Sequence, residues 1–143
     1  MRAEGTFSVK AFVPADVAPE PPITTGLPVG LARMEKHYEG GVSGRSATLC
    51  TAAFSQETGT GTYVAMESFE GSLDGRAGCF NFAHSATTGG TDLAAEFFVI
   101  VPSIGTGELA GLSGAGGLQI DEDGTHRIWF DFEHRIWFDF ELG

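Results

Sequence analysis

Positive charge is scarce in this chain. Lys and Arg number 8 against 19 Asp and Glu, which leaves −11 at pH 7. With no cationic cluster to displace counterions from phosphates, nucleic acid is excluded as a partner, and anionic membrane surfaces with it. Long apolar runs are also missing. Nothing approaches the ~18 residues of a membrane span, and no cationic start leads into an apolar stretch, so no membrane role and an unexported, cytoplasmic protein are expected. Cysteine is limited to Cys50 and Cys79. In an unexported protein such a pair reads as two reduced, buried thiols rather than a disulfide. An apolar stripe of helical period is absent too; the nearest case, "LARMEKHYE" (31–39), reads better as a strand.

What is abundant is glycine, 21 residues without a collagen period, punctuating short alternating segments. Candidate strands fall at 5–13, 31–40, 44–55, 62–73, 76–87, 92–102, about 115–120, and in "HRIWFDFE" from 126. In the first, Phe7, Val9, Ala11 and Val13 share one face. Residues 14–28 hold five prolines and form a loop expected to lie over the body. The 143 residues fit a single all-β domain. Eight antiparallel strands close most economically into a barrel, with a two-sheet sandwich as the competitor.

The strongest local signal is Asp74-Gly75, a two-residue hairpin turn. A tight turn there opposes Leu73 with Arg76, Phe69 with Phe80, Glu67 with Phe82 and Ala65 with His84. One face then carries Tyr63, Ala65, Glu67, Phe69, Phe80, Phe82 and His84, and its aromatic content makes it the interior. Glu67 and His84 occupy diagonal cross-strand positions within side-chain reach. Burial raises a carboxyl pKa and a paired histidine lowers it, so the couple is suited to moving a proton near neutral pH. The competing reading is that Glu67 and His84 merely satisfy each other in a polar layer of the core. A one-residue change in the turn would put them on opposite faces.

Other signals are weaker. Cys50 lacks a basic neighbour in sequence and reads as an inert thiol. On 31–40, Arg33, Glu35 and His37 form a polar outer face, while Met34, Lys36 and Tyr38 point the other way and could reach the interior. Glu96 shares a face with Asp92, Ala94, Phe98 and Ile100 and stands either inside or on the solvent side. No His/Cys/Asp/Glu spacing fits a metal site, so neither metal nor cofactor is expected. "GTGELAGLSGAGG" (105–117) lacks the Lys-Ser/Thr of a phosphate loop. Its glycines serve sharp turns and close backbone approach.

"VPSIGTGELAGLSGAGG" (101–117), "MESFEGSLDGRAGCFNFAHSAT" (66–87) and "HYEGGVSGRS" (37–46) together resemble a bacterial family of unknown function. Its members form small barrels similar to allene oxide cyclase. The resemblance runs from Phe7 to Leu142 outside the Pro-rich loop, and it implies an eight-stranded closed, calycin-like barrel. Glu67 and His84 match the family's acidic and histidine positions, while Ser68, Ala83 and Ala86 depart from its Arg, Gln and Gly. The wider group includes cyclases that fold a hydrophobic substrate by confinement, and dirigent-type proteins that guide coupling without acid or base chemistry.

These readings converge on a cofactor-free barrel that binds a hydrophobic small molecule in an aromatic lumen. Tyr63, Phe69, Phe80 and Phe82 would line the pocket, and Glu67 and His84 would assist a cyclase or isomerase reaction. A cavity of about 300 Å³ or more walled by that pair would favour this reading, and a packed interior would sink it. The rival is a non-catalytic barrel with a filled lumen, acting as an oligomerising or partner-binding module.

Residues 126–133 recur unchanged at 134–141. His126, Ile128, Phe130 and Phe132 fall on one face, and because eight is even the second copy is in phase with the first. Sixteen extended residues would span about 53 Å, too far for one wall, so one copy closes the sheet and the other lies elsewhere. A spare apolar strand invites pairing with another chain, and a homodimer or higher assembly through 134–143 is expected.

Overall fold

The computed structural model describes residues 1–89 and 93–134. Its eight strands are β1 (Arg2–Ala15), β2 (Val29–Gly40), β3 (Val42–Ser55), β4 (Thr60–Leu73), β5 (Arg76–Gly89), β6 (Leu93–Ile100), β7 (Leu112–Ile120) and β8 (His126–His134). A single 3-10 turn, Gly107–Leu109, lies between β6 and β7. Each strand pairs antiparallel with the next, and β8 pairs back with β1, so the sheet forms a ring.

The Asp74-Gly75 turn has positive φ at both residues, 49° and 85°, as a two-residue hairpin with matched twist requires. Its register is the expected one: Leu73 opposes Arg76, Phe69 opposes Phe80, Glu67 opposes Phe82 and Ala65 opposes His84. The aromatic face is the interior. Phe69, Phe80, Phe82, Ile100, Ile128, Phe130 and Phe132 are all buried in one core cluster. Phe130 meets Phe80, Phe82 and Phe98 edge-on at 5.1–5.4 Å between ring centres, a geometry that adds to plain burial. The first copy of the repeat therefore occupies the wall. The second copy, apart from the backbone of His134, lies outside the described residues.

Glycine permits close backbone approach at several places. A Cβ on Gly71 (φ 155°) would stand 2.0 Å from the Ser43 carbonyl oxygen on β3. One on Gly78 would meet the Thr106 carbonyl oxygen at 2.0 Å, so the 103–111 loop rests directly on β5. That loop buries Leu109 completely and stops one end of the ring, together with Leu73, Val42 and Leu112.

The ladder is uneven, and this shapes the other end. β1 pairs with β8 only from Arg2 to Phe7. A register shift follows between Val9 and Ala11, and beyond it β1 pairs, among the described residues, with β2 alone. Of the apolar face of β1, Phe7 packs against the core, while Val9 and Val13 are exposed. The strand runs on through Pro14 to Ala15, and residues 16–28 are almost wholly exposed rather than lying over the body. β6 meets β7 in only two register pairs, Val99 with Ala115 and Ile100 with Gly114. A second shift, opposite Ala86, places two β6 residues against one of β5, with Ala95 at φ 51°. The wall between β6 and β7 is therefore a seam.

Both cysteines are free, and only one is sheltered. Cys50 is half-buried, whereas Cys79 is exposed because it lies on the outward face of the Asp74-Gly75 hairpin.

Candidate functional site

Register builds the site. Across β2 to β6 one cross-strand row reads Met34, Thr48, Glu67, Phe82, Ile100. The rows on either side bring Lys36 and Ser46, and Cys50, Ala65, His84 and Phe98, to the same interior face. Glu67 is fully buried at the centre. An unpaired carboxylate there would be prohibitively costly, and the fold surrounds it with donors.

Four groups reach it. Lys36 Nζ donates to Oε2 at 2.6 Å and His84 Nε2 to the same oxygen at 2.5 Å. The Tyr38 hydroxyl donates to Oε1 at 2.5 Å and Ser46 Oγ to Oε1 at 2.7 Å. Each hydroxyl has one proton, and both point at the carboxylate, so the 3.1 Å approach of Tyr38 to Ser46 carries no further donor. Burial pushes the Glu67 carboxyl up, but the His84 hydrogen bond and the Lys36 charge outweigh it and hold the group at about 2. Glu67 is ionised and Lys36 balances its charge.

An ionised carboxylate only accepts, so the His84 Nε2 in contact with it bears the proton. In the neutral imidazole Nδ1 is then an acceptor. It lies 2.9 Å from the Tyr63 hydroxyl, which donates to it in that neutral form. Phe82 and Phe98 stack on the His84 ring, with centres 5.8 and 5.7 Å away, and fix its plane. The result is a carboxylate–imidazole–phenol chain of three groups in series. Burial pushes the Tyr63 phenol up to about 12, so it acts as a hydroxyl and not as a phenolate. Burial likewise raises the Cys50 thiol, against the influence of Lys36, and keeps it unreactive.

Tyr63 and His84 border a cavity of about 180 Å³ at the β6–β7 seam, completed by Ala86, Glu96, Phe98, Gly117 and others. Tyr63 is thus at a pocket wall, and Glu67 stands behind His84, outside the lining. Phe82 lies in the packed centre, and Phe69 and Phe80 pack there while also bordering an outer groove of about 510 Å³ with Arg45 and Glu70. The space beside His84 is smaller than the ~300 Å³ looked for, because these rings and Phe130 fill the middle of the ring. Lys36, Tyr38 and Ser46 complete the site. The period-two pattern of 31–40 already turned Lys36 and Tyr38 toward the interior, whereas nothing local marked Ser46. Thr48 Oγ1 is buried beside Glu67 and has no hydrogen-bond partner. Among the described residues no group of His, Cys, Asp and Glu could hold a metal ion.

The family model described as "Protein of unknown function (DUF3224)" matches residues 3–132. The chain belongs to the DUF3224 family. A solved DUF3224 protein of unknown function from Shewanella oneidensis MR-1 superposes with a TM-score of 0.80 at 29% identity, covering 95% of this chain and 98% of that one. No curated protein matches. The DUF3224 match spans β1 to Phe132 in β8, so it covers every residue of the Glu67 network. Among the described residues no helix is long and apolar enough to cross a membrane.

Proposed function

We propose that this DUF3224 chain is a small-molecule-binding barrel, allene-oxide-cyclase-like in architecture. Its ligand sits at the β6–β7 seam, and the Glu67–His84–Tyr63 chain gives acid–base assistance to a cofactor-free cyclisation or isomerisation. The observation that carries this reading is the chain's direction: it starts at a buried carboxylate and ends with a hydroxyl at the wall of a cavity. A ligand proton arriving at the Tyr63 oxygen moves the tyrosine's own proton to His84 Nδ1. The imidazolium formed is stabilised by Glu67, and the reverse transfer returns a proton to a different ligand atom. The packed aromatic core beneath excludes water from the exchange. A cytoplasmic setting belongs to the same proposal, supported by two free thiols on opposite faces of the wall.

Tyr63→Phe tests the relay, because it removes one oxygen from a half-buried ring and leaves the core packing in place. In a compound screen read by native mass spectrometry and turnover, the variant is expected to bind any hit within a few-fold of the parent. Turnover is expected to fall by roughly 10²–10⁴. Equal turnover would sink the relay and leave confinement alone.

A second reading, a non-catalytic module, is favoured by the filled centre of the ring and by the four donors that already satisfy Glu67. It predicts that no compound occupies the seam. Under either reading we infer that copies of the chain associate through residues 134–143, an expectation that rests on the apolar spare copy of the repeat. Ultracentrifugation of a chain truncated after Glu133 should show a folded species of lower association; an unchanged mass refutes it.

A further inference from the structure

We propose that the seam pocket takes a compact organic cation, a small amine or quaternary ammonium compound. This rests on the reading above that the pocket is the ligand site, and it names the chemistry of the ligand. Of the polar groups that line the pocket, Tyr63, His84, Ser85 and Glu96, the one that carries a negative charge is Glu96. Glu96 lines it on the Phe98 side, beside the Ala95 bulge, and is exposed. Among the described residues Glu96 has no ion-pair partner, and neither Lys nor Arg lines the cavity. Its charge acts on Tyr63 across the space. With the His84 ring neutral, the Tyr63 proton is directed at Nδ1, and the lone pairs of the phenol oxygen are left for a donor from the ligand.

The apolar part of the lining suits the same guest. Tyr63, Phe97 and Phe98 supply aromatic rings, whose faces attract ammonium groups. At about 180 Å³ the space matches one ring with a one-carbon arm, since a cavity of ~150 Å³ accommodates benzene. The chain's net charge of −11 draws cations toward every opening on its surface and disfavours anions. Glu96 stays hydrated at the rim until a ligand covers it, so the empty pocket does not carry a buried charge.

Benzylamine and its neutral isostere benzyl alcohol separate the possibilities when titrated into the full-length protein at pH 7 and followed by NMR. The expected result is that benzylamine binds about tenfold more tightly, with shifts centred on Tyr63, His84 and Phe98. The preference should weaken as salt is raised. Glu96→Gln, an exposed substitution checked for an unchanged melting temperature, should remove most of that tenfold. Benzyl alcohol binding as tightly as the amine, or selectivity surviving in Glu96→Gln, overturns the cation proposal while leaving the pocket as a ligand site. Binding of neither compound at these residues overturns the pocket reading itself, and this proposal with it.

Discussion

Lys36→Met is expected to lower folding stability by about 3–5 kcal/mol, because it leaves the buried Glu67 carboxylate without its balancing charge. The contacts that remain are the His84, Tyr38 and Ser46 donors, which satisfy its lone pairs without neutralising it. Chemical denaturation with a linear extrapolation measures the loss. The double variant Lys36→Met, Glu67→Gln removes both charges and should recover a large part of it. A single-variant loss below about 1 kcal/mol would mean that the ion pair is not what holds the carboxylate. The same network sets the acid limit of the fold. A Glu67 carboxyl at about 2, against an ordinary 4.5, contributes roughly 3 kcal/mol. That stability is fully present above about pH 4.5 and is lost as pH falls through about 2. Melting temperatures recorded from pH 7 down to 2 should therefore drop steeply in the parent at the acid end, and Glu67→Gln should show a shallower drop there.

The second large effect distinguishes the two copies of the repeat. Phe130 is fully buried against Phe80, Phe82 and Phe98, and Phe130→Ala should cost about 3–5 kcal/mol through lost burial and the cavity it leaves. Phe138 occupies the identical place in the second copy, and Phe138→Ala, measured at a concentration where the chain is monomeric, should change stability by less than about 0.5 kcal/mol. Parallel denaturation curves decide the point. Equal losses from both substitutions would show that the wall is shared between the copies.

How far the sequence could be read depended on the range over which each feature is specified. The central hairpin was legible to the residue because Asp74-Gly75 fixes a register that then propagates along two strands. Glu67 and His84 could be brought together on that basis alone. Lys36, Tyr38 and Ser46 arrive from β2 and β3, and their depth depends on pairings that no single turn announces. The seam was hidden for a different reason. Alternation in β6 suggests an ordinary strand, while the bulge at Ala95 and the two-pair junction with β7 are set by backbone geometry that pattern does not record. β1 misled in the same way, since its apolar alternation continues past Phe7 although the pairing with β8 stops there.

The joint between β1 and β8 imposes an order in time. The N-terminal amine donates to the Phe132 carbonyl at 3.1 Å, and the Phe132 amide donates to the Met1 carbonyl at 2.8 Å, so Met1 is held by a residue far along the chain. During synthesis at about 5–20 residues per second, β1 waits roughly 6–25 s between the appearance of Phe7 and that of Asp131. Until then its edge is unpaired and the core face of β4 and β5 lacks Phe130. A nascent chain of this protein can form its hairpins one after another, but the β8-facing edge of β1 is paired in this ring by sequence translated long after it.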